Sequence, residues 1–216
     1  MTKHFTEREA NAYSRLLDYF AHTAVANPKP IYHPGRSLNE FTVGQEGSLR
    51  RAAVLIPITR FQPNLESHIV LTVRSENLRN HAGQISLPGG SQAEHDSDEI
   101  ATALRESEEE IGLAPHQVEI IGRLGEMALP SGFRVTPIVG IIDSGLDLKP
   151  CPHEVADIFH APLNLVLDPS AYRHTEVMFN AKPRKILELI YEDYRIWGAT
   201  AAILYHLAKE VAGDRN

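Results

Sequence analysis

Arg105-Glu106-Ser107-Glu108-Glu109-Glu110-Ile111-Gly112 packs four glutamates into eight residues at the end of a helical pattern and stops on a glycine. Upstream, Ile100, Leu104, Ser107 and Ile111 recur at spacings of four, three and four, the buried stripe of a helix from about Ser97 to Ile111. Ala103 and Leu104 keep that face small enough to sit close to a sheet. Asp96 stands where it can cap the helix, with Glu99 three residues on in the manner of a capping box. Gly112 suits a left-handed cap at the other end.

At about 100° per residue, Glu106 and Glu110 fall about 40° apart and Glu109 about 60° to the other side. These three carboxylates share one patch off the stripe, while Glu108 projects elsewhere. They repel one another near the end of the helix whose dipole is already negative. Such a patch needs either full solvation or a cation. The preceding Pro88-Gly89-Gly90 reads as a tight turn whose glycines could let a backbone carbonyl reach a metal. Oxygen ligands in this arrangement suit a hard ion, Mg²⁺ or Mn²⁺.

Around the helix, 52–58 and 68–73 are short apolar runs rich in β-branched residues, which predict buried strands joined through a hairpin at Phe61 to Glu66. Val118 to Leu124 and Val135 to Ile142 are again strand-like, Glu154 to Phe159 suggests a short helix, and Glu176 to Phe179 with Ile186 to Tyr191 suggests a further hairpin. Ala201, Leu204, Leu207 and Ala208 space a closing helix from Thr200 to Val211. Residues 6–24 form an amphipathic helix with Tyr13, Leu16, Leu17 and Phe20 on one face, to be packed on the domain or on a second subunit. Pro28, Pro30, Pro34 and Gly35 then make an extended connection. Strands mixed with helices imply an α+β sandwich with helices packed on a mixed sheet. We divide the chain into an N-terminal helical extension and linker, 1–48, and a main domain, 49–212.

The 216 residues, 43% hydrophobic, suffice for one substantial core with an appendage. A net charge of −7 argues against wholesale binding of nucleic acid. No apolar run approaches the roughly 20 residues of a membrane span, and the first residues lack the apolar core of a secretory signal. A soluble cytoplasmic protein is expected. Cys151 is the only cysteine, which excludes an intrachain disulfide; with only His153 nearby to hint at activation, it reads as structural. None of the 11 histidines shows the spacing of a helical zinc site.

The acidic stretch resembles the signature of the Nudix hydrolase superfamily: Arg-Glu, two residues, Glu-Glu, one residue, Gly and an apolar residue, met by Arg105 to Leu113. The front half departs from the general pattern, with Ser91 and Ser97 where a Gly and a Glu are usual. Gly90 lies one residue earlier than that pattern wants, and Asp96 and Asp98 follow it. The longer loop looks like the coenzyme A diphosphatase branch. Leu71-Thr72-Val73-Arg74-Ser75, Leu78-Arg79-Asn80-His81-Ala82-Gly83-Gln84 and Pro88-Gly89-Gly90 are similar to that branch, with Val70 and Leu87 as conservative differences. So are 135–140, 154–159 and 196–201. Ser91 and Ala93 replace the basic and acidic residues that branch members usually carry after the Gly-Gly.

The resemblance implies a Nudix-type α/β/α sandwich and Mg²⁺-dependent attack of water on the pyrophosphate of coenzyme A or a thioester, giving adenosine 3′,5′-bisphosphate and (acyl-)4′-phosphopantetheine. Two other readings stay open: a Nudix hydrolase of ADP-ribose, a dinucleotide or a nucleoside triphosphate, and a non-catalytic Nudix-fold binding module. Glu106 and Glu110 are the leading metal ligands, Glu109 a further ligand or part of water activation, and the carbonyl of Gly90 a ligand by family analogy. Arg105 orients the carboxylates. For the general base, a glutamate of the box and Glu154 both stand, Glu154 being equally well explained as an acid at a helix start. Arg74, Arg79 and His81 form an anion-binding group that would recognise the 3′-phosphate. Gln84 reads as support and Trp197 as core. A homodimer is a further expectation.

Overall fold

The computed structural model describes residues 2–23, 28–31, 49–78, 80–179 and 182–213; Pro34, Gly35 and Arg79, named above, lie outside them. In chain order the elements are α1 (Thr2–His22), β1 (Arg50–Thr59), β2 (His68–Arg74), β3 (Ile85–Ser86), β4 (Gly89–Ser91), α2 (Glu99–Ile111), β5 (Val118–Arg123), β6 (Met127–Leu129), β7 (Phe133–Ile142), β8 (Val155–Pro162), α3 (Leu163–Val166), β9 (Arg173–Phe179), β10 (Lys182–Tyr191), β11 (Tyr194–Trp197) and α4 (Gly198–Val211).

The main sheet has eight strands, ordered β3-β2-β1-β7-β5, with β4 beside β1, β6 beside β7 and β8 beside β2. Strands β1 and β7 run parallel over their whole length, Arg50 opposite Phe133 through Thr59 opposite Ile142; the other pairs are antiparallel. The long apolar runs of β1 and β7 fit this central pair, because a strand covered on both faces needs no polar alternation. Ala53, Leu55, Val70, Ile138 and Ile142 pack with Ala103 and Ile111 of α2. Their neighbours Ala52, Ile56, Ile69, Leu71 and Ile141 join a second cluster with α1 and α4. Period-two alternation thus makes helix-covered layers on both faces of one mixed sheet.

Two local expectations change. Glu154 to Phe159 is no helix but the start of β8, which pairs with β2 from Arg74 opposite Val155 to His68 opposite Pro162. Its apolar residues alternate in burial, and the ladder to β2 uses the backbone groups a helix would have needed. Pro88-Gly89-Gly90 is no free turn either, since Gly89 and Gly90 enter β4 and pair with Val54 and Ala53.

The front helix packs on the domain. Ala12, Tyr13, Leu16 and Phe20 are buried in the cluster that also holds α4, and Tyr19 donates from its hydroxyl to Glu210 Oε2 at 3.1 Å. Each such large apolar side chain stabilises the docking by about 1.5–3 kcal/mol. Gly122 in β5 makes the seat: a Cβ there would overlap the Phe20 ring. Gly122→Ala should therefore cost about 1–3 kcal/mol in urea unfolding. In a Phe20→Ala background the same change should cost almost nothing; equal costs in both backgrounds would contradict this packing.

A second sheet, β11-β10-β9, covers α4 with Leu187, Leu189 and Ile196. Ala201, Leu204, Leu207 and Ala208 are fully buried, as their spacing predicted. Trp197 is not core: Ile196 is buried, while Trp197 is half-buried, since adjacent strand residues face opposite sides.

Candidate active site

The start of α2 differs from the expected capping box. Asp98 is the cap, its side chain accepting the Ala101 N–H at 2.8 Å. Asp96 turns inward instead. It accepts the Ala93 N–H at 2.8 Å, the Thr102 hydroxyl at 3.0 Å, and Nε and Nη2 of Arg105 at 3.0 and 2.9 Å. The same guanidinium donates to Glu106 at 2.8 Å, Glu109 at 3.1 Å and the Ser91 carbonyl at 3.0 Å. One arginine thus ties the loop after β4 to two carboxylates of the helix. These bonds hold the Asp96 carboxyl far below the usual range and raise the Arg105 guanidinium above its own. Sequence reasoning missed Asp96 in this role. Its one signal was an acid in the lengthened loop at the place where the box glutamate is missing.

The buried face of α2 is also rotated from the expected stripe. Thr102, Ala103, Ser107, Glu110 and Ile111 are buried, whereas Ile100 is 36% exposed. Glu110, expected on a patch turned away from the sheet, is only 3% exposed. Beneath it lies the short glycine strand. A Cβ on Gly90 would overlap the Glu106 carboxylate, and one on Gly89, whose φ is +151°, would overlap the Ala53 carbonyl. The missing side chain of Gly90 therefore leaves a slot that the Glu106 carboxylate fills. There Glu110 Oε2 accepts the Gly89 N–H at 3.2 Å.

Gly90 faces Ala53, in a position bracketed by Leu55 N–H to Pro88 O and Gln92 N–H to Arg51 O. Its backbone groups therefore point at β1. A cation contact from the Gly90 carbonyl would use its second lone pair.

The far end of α2 brings in Glu154. Gly112 is left-handed at φ 66° and donates to Glu108 O. Lys149 and Cys151 donate their N–H groups to Ile111 O and Glu110 O, at 2.9 and 2.8 Å. These bonds satisfy helix carbonyls that otherwise lack partners. Cys151 then accepts from the N–H of Glu154, and Ser75 donates to Glu154 O. The turn carrying Glu154 is thus moored to both α2 and the end of β2. No helix begins there, so the dipole account of Glu154 falls away. Cys151 serves this turn through its backbone.

Arg74, the last residue of β2, stands beside this group, and its Nε is buried without a hydrogen-bond partner. Of the two expected anion binders that are described, Arg74 is the one linked to the carboxylates. His81 is exposed, with Nδ1 2.9 Å from Gln84 Oε1, which gives Gln84 a supporting contact in the loop.

Burial pushes the Glu110 carboxyl up to about 7, opposed by the Gly89 N–H and by Arg74, and reinforced by Glu106 and Glu154. Burial also raises Glu106, against the pull of Arg105. Two desolvated carboxylates, with a third acid close enough to act on both, make a site that a hard divalent cation would stabilise. Their oxygens fit such an ion and suit soft metals poorly. Glu109 is exposed and held by Arg105, and among the described residues no three acids, histidines or cysteines are already gathered as a complete ligand set. Some side-chain adjustment would accompany ion binding.

A family model described as NUDIX domain matches residues 49–180. The chain is 42% identical over 163 residues to an uncharacterized Nudix hydrolase NudL of Photorhabdus laumondii, covering 75% of this chain and 85% of that protein. The NudL of Citrobacter koseri is 39% identical over 168 residues, with coverage of 78% and 86%. Among solved structures, a MutT/nudix family protein from Enterococcus faecalis aligns at a TM-score of 0.47 and 13% identity, over 91% of this chain and 72% of that one.

Proposed function

The chain belongs to the Nudix hydrolase family, enzymes acting on diphosphate bonds, and from that premise we propose that its substrate is coenzyme A or a coenzyme A thioester. Cleavage of the pyrophosphate would release adenosine 3′,5′-bisphosphate and 4′-phosphopantetheine or its acyl form. The observation that carries this reading is the placement of Arg74. It comes from the Thr72-Val73-Arg74-Ser75 stretch that looks like the coenzyme A branch, and it stands beside buried Glu110 with its Nε unsatisfied. A phosphate oxygen would complete that donor.

Nudix hydrolases use divalent metal ions such as Mg²⁺, which in this site would polarise phosphoryl oxygens and lower the pKa of water. Glu106 and Glu110 are the proposed holders of the ion, with Glu109 and the Gly90 carbonyl as further donors. Mn²⁺ would suit the same oxygens. Arg105 acts as a positioning residue, and Asp96 positions Arg105. Either Glu109 or Glu154 takes the proton of the attacking water; both are exposed and so reachable by it. Arg74, with Arg79 and His81, would receive the substrate's phosphates. The enzyme unit in this reading is 49–212, with α1 as a docked extension. No described helix is long and apolar enough to cross a membrane.

Ser91 and Ala93 favour a second reading, in which the substrate is another nucleoside diphosphate derivative such as ADP-ribose or a dinucleotide. Incubation of the pure protein and Mg²⁺ with coenzyme A, acetyl-coenzyme A, dephospho-coenzyme A, ADP-ribose and a dinucleotide, with products resolved by chromatography, separates the two. Coenzyme A should be preferred over its dephospho form by about ten- to a hundredfold in kcat/KM, the worth of one charged contact to the 3′-phosphate. Rapid turnover of ADP-ribose with none of coenzyme A or its thioester would reject the first reading.

A further inference from the structure

The sheet β11-β10-β9 ends on β9, and no described strand pairs with its outer edge. Pro183 settles which backbone groups face outward. It stands opposite Met178 and has no N–H to give, so that pair is a non-hydrogen-bonded one. Alternation directs the backbone groups of Arg173, Thr175, Val177 and Phe179 toward β10. Those of His174, Glu176 and Met178 point away from the sheet. All three residues are exposed, Met178 at 69%.

This edge is also unprotected. Strands β9 and β10 pair without a register shift from Arg173 opposite Glu188 to Phe179 opposite Lys182. The strand itself holds no proline, lysine or glycine, and no bulge twists it away from a partner. It is held firmly on its inner side. Glu188, 4% exposed, is gripped by Nε of Arg173 and Nε of Arg195, each at 2.6 Å.

We propose that β9 pairs antiparallel with β9 of a second copy of this chain, about a two-fold axis through Thr175, joining the two sheets into one. The register follows from side-chain pairing. Outward residues must oppose outward residues, and with the axis at Thr175 each His174 faces Glu176 of the other copy, twice over. The two pairs exchange four backbone hydrogen bonds, two for each narrow pair, and each sets an imidazole N–H donor opposite a carboxylate acceptor. Moving the axis by one residue sets Glu176 against Glu176, which is unfavourable, or His174 against His174, which gives up both contacts to the carboxylate. The strand is thus complementary to itself in one register, as a two-fold interface requires.

Sedimentation velocity of the full chain tests this. Wild-type protein should run at twice the chain mass. Glu176→Arg, which places cation against His174, should run as a monomer, and adding His174→Glu should restore the dimer by exchanging the charges. Glu176→Pro should also give a folded monomer, because the N–H it removes points outward and is not needed within the chain. A monomeric wild type, a dimer indifferent to Glu176→Arg and Glu176→Pro, or a double variant that stays monomeric would each overturn the proposal. None of these residues belongs to the Glu106–Glu110 site, so hydrolysis per chain should be unaltered throughout.

Discussion

Glu110→Gln is expected to lower kcat by at least about a thousandfold, some 4 kcal/mol of transition-state stabilisation, while leaving the fold intact. Glutamine keeps the acceptor for the Gly89 N–H and the volume of the buried side chain. It cannot supply a negative oxygen to a cation. The substitution also has a signature in stability. In metal-free protein the Glu110 carboxyl is pushed from 4.5 up to about 7 by burial. Between those values the folded chain keeps a proton that the unfolded chain has lost, so wild-type stability should fall as pH rises through that window. The variant lacks this titration. Above the window it should be the more stable of the two, by on the order of 3 kcal/mol at most. Adding Mg²⁺ should raise the melting temperature of wild type and leave the variant nearly unmoved. Turnover retained in Glu110→Gln, or an Mg²⁺ response equal to wild type, would remove Glu110 from the site.

Asp96→Asn carries the second large effect. The Asp96 side chain is 3% exposed and takes both Nε and Nη2 of Arg105. Asparagine removes the buried charge that faces Nε and Nη2 and leaves the guanidinium only Glu106 and Glu109 as ion partners; breaking a shielded pair from one side costs at most about 3–5 kcal/mol. Loss of the anchor should also free Arg105 from Ser91, Glu106 and Glu109, lowering kcat by about ten- to a hundredfold with a smaller change in KM. The acid side agrees in sign. Asp96 is held well below its ordinary 3.8 by the Arg105 bonds, so its stabilisation is complete above that value and disappears as pH falls toward the folded-state pKa. Asp98→Ala provides the contrast: an ordinary helix cap, worth about 1 kcal/mol, with kcat unchanged. If the two variants behaved alike, Asp96 would be a fold residue only.

How legible the site was depended on the kind of residue. Glu106, Glu109, Glu110 and Arg105 could be found because their spacing is a property of one helix. Glu154 and Arg74 were singled out on family likeness, forty or thirty positions away from the box, and only the ladder β2–β8 sets them beside Glu110. The short helix expected at Glu154 failed because a strand edge at β2 offered its backbone more than an isolated turn could. Asp96 was misassigned for a related reason. Asp96 and Asp98 are two acids competing for one cap, and the winner depends on where Arg105 finds its partner in space.

By itself the sequence determined what is local: apolar runs that become strands, a helix that ends at Gly112, four acids at helical spacing, and glycines where backbone had to come close. Tertiary structure alone decided which face of α2 is buried, and so which glutamate loses water. Periodicity names a stripe by hydrophobicity, yet the stripe observed includes Glu110 and excludes Ile100. The physical reason is that α2 lies over β4: Gly90 leaves room there for the Glu106 carboxylate, and the Gly89 N–H, turned away from β1, meets Glu110. The carboxylate held against that backbone is buried, whatever its own affinity for water.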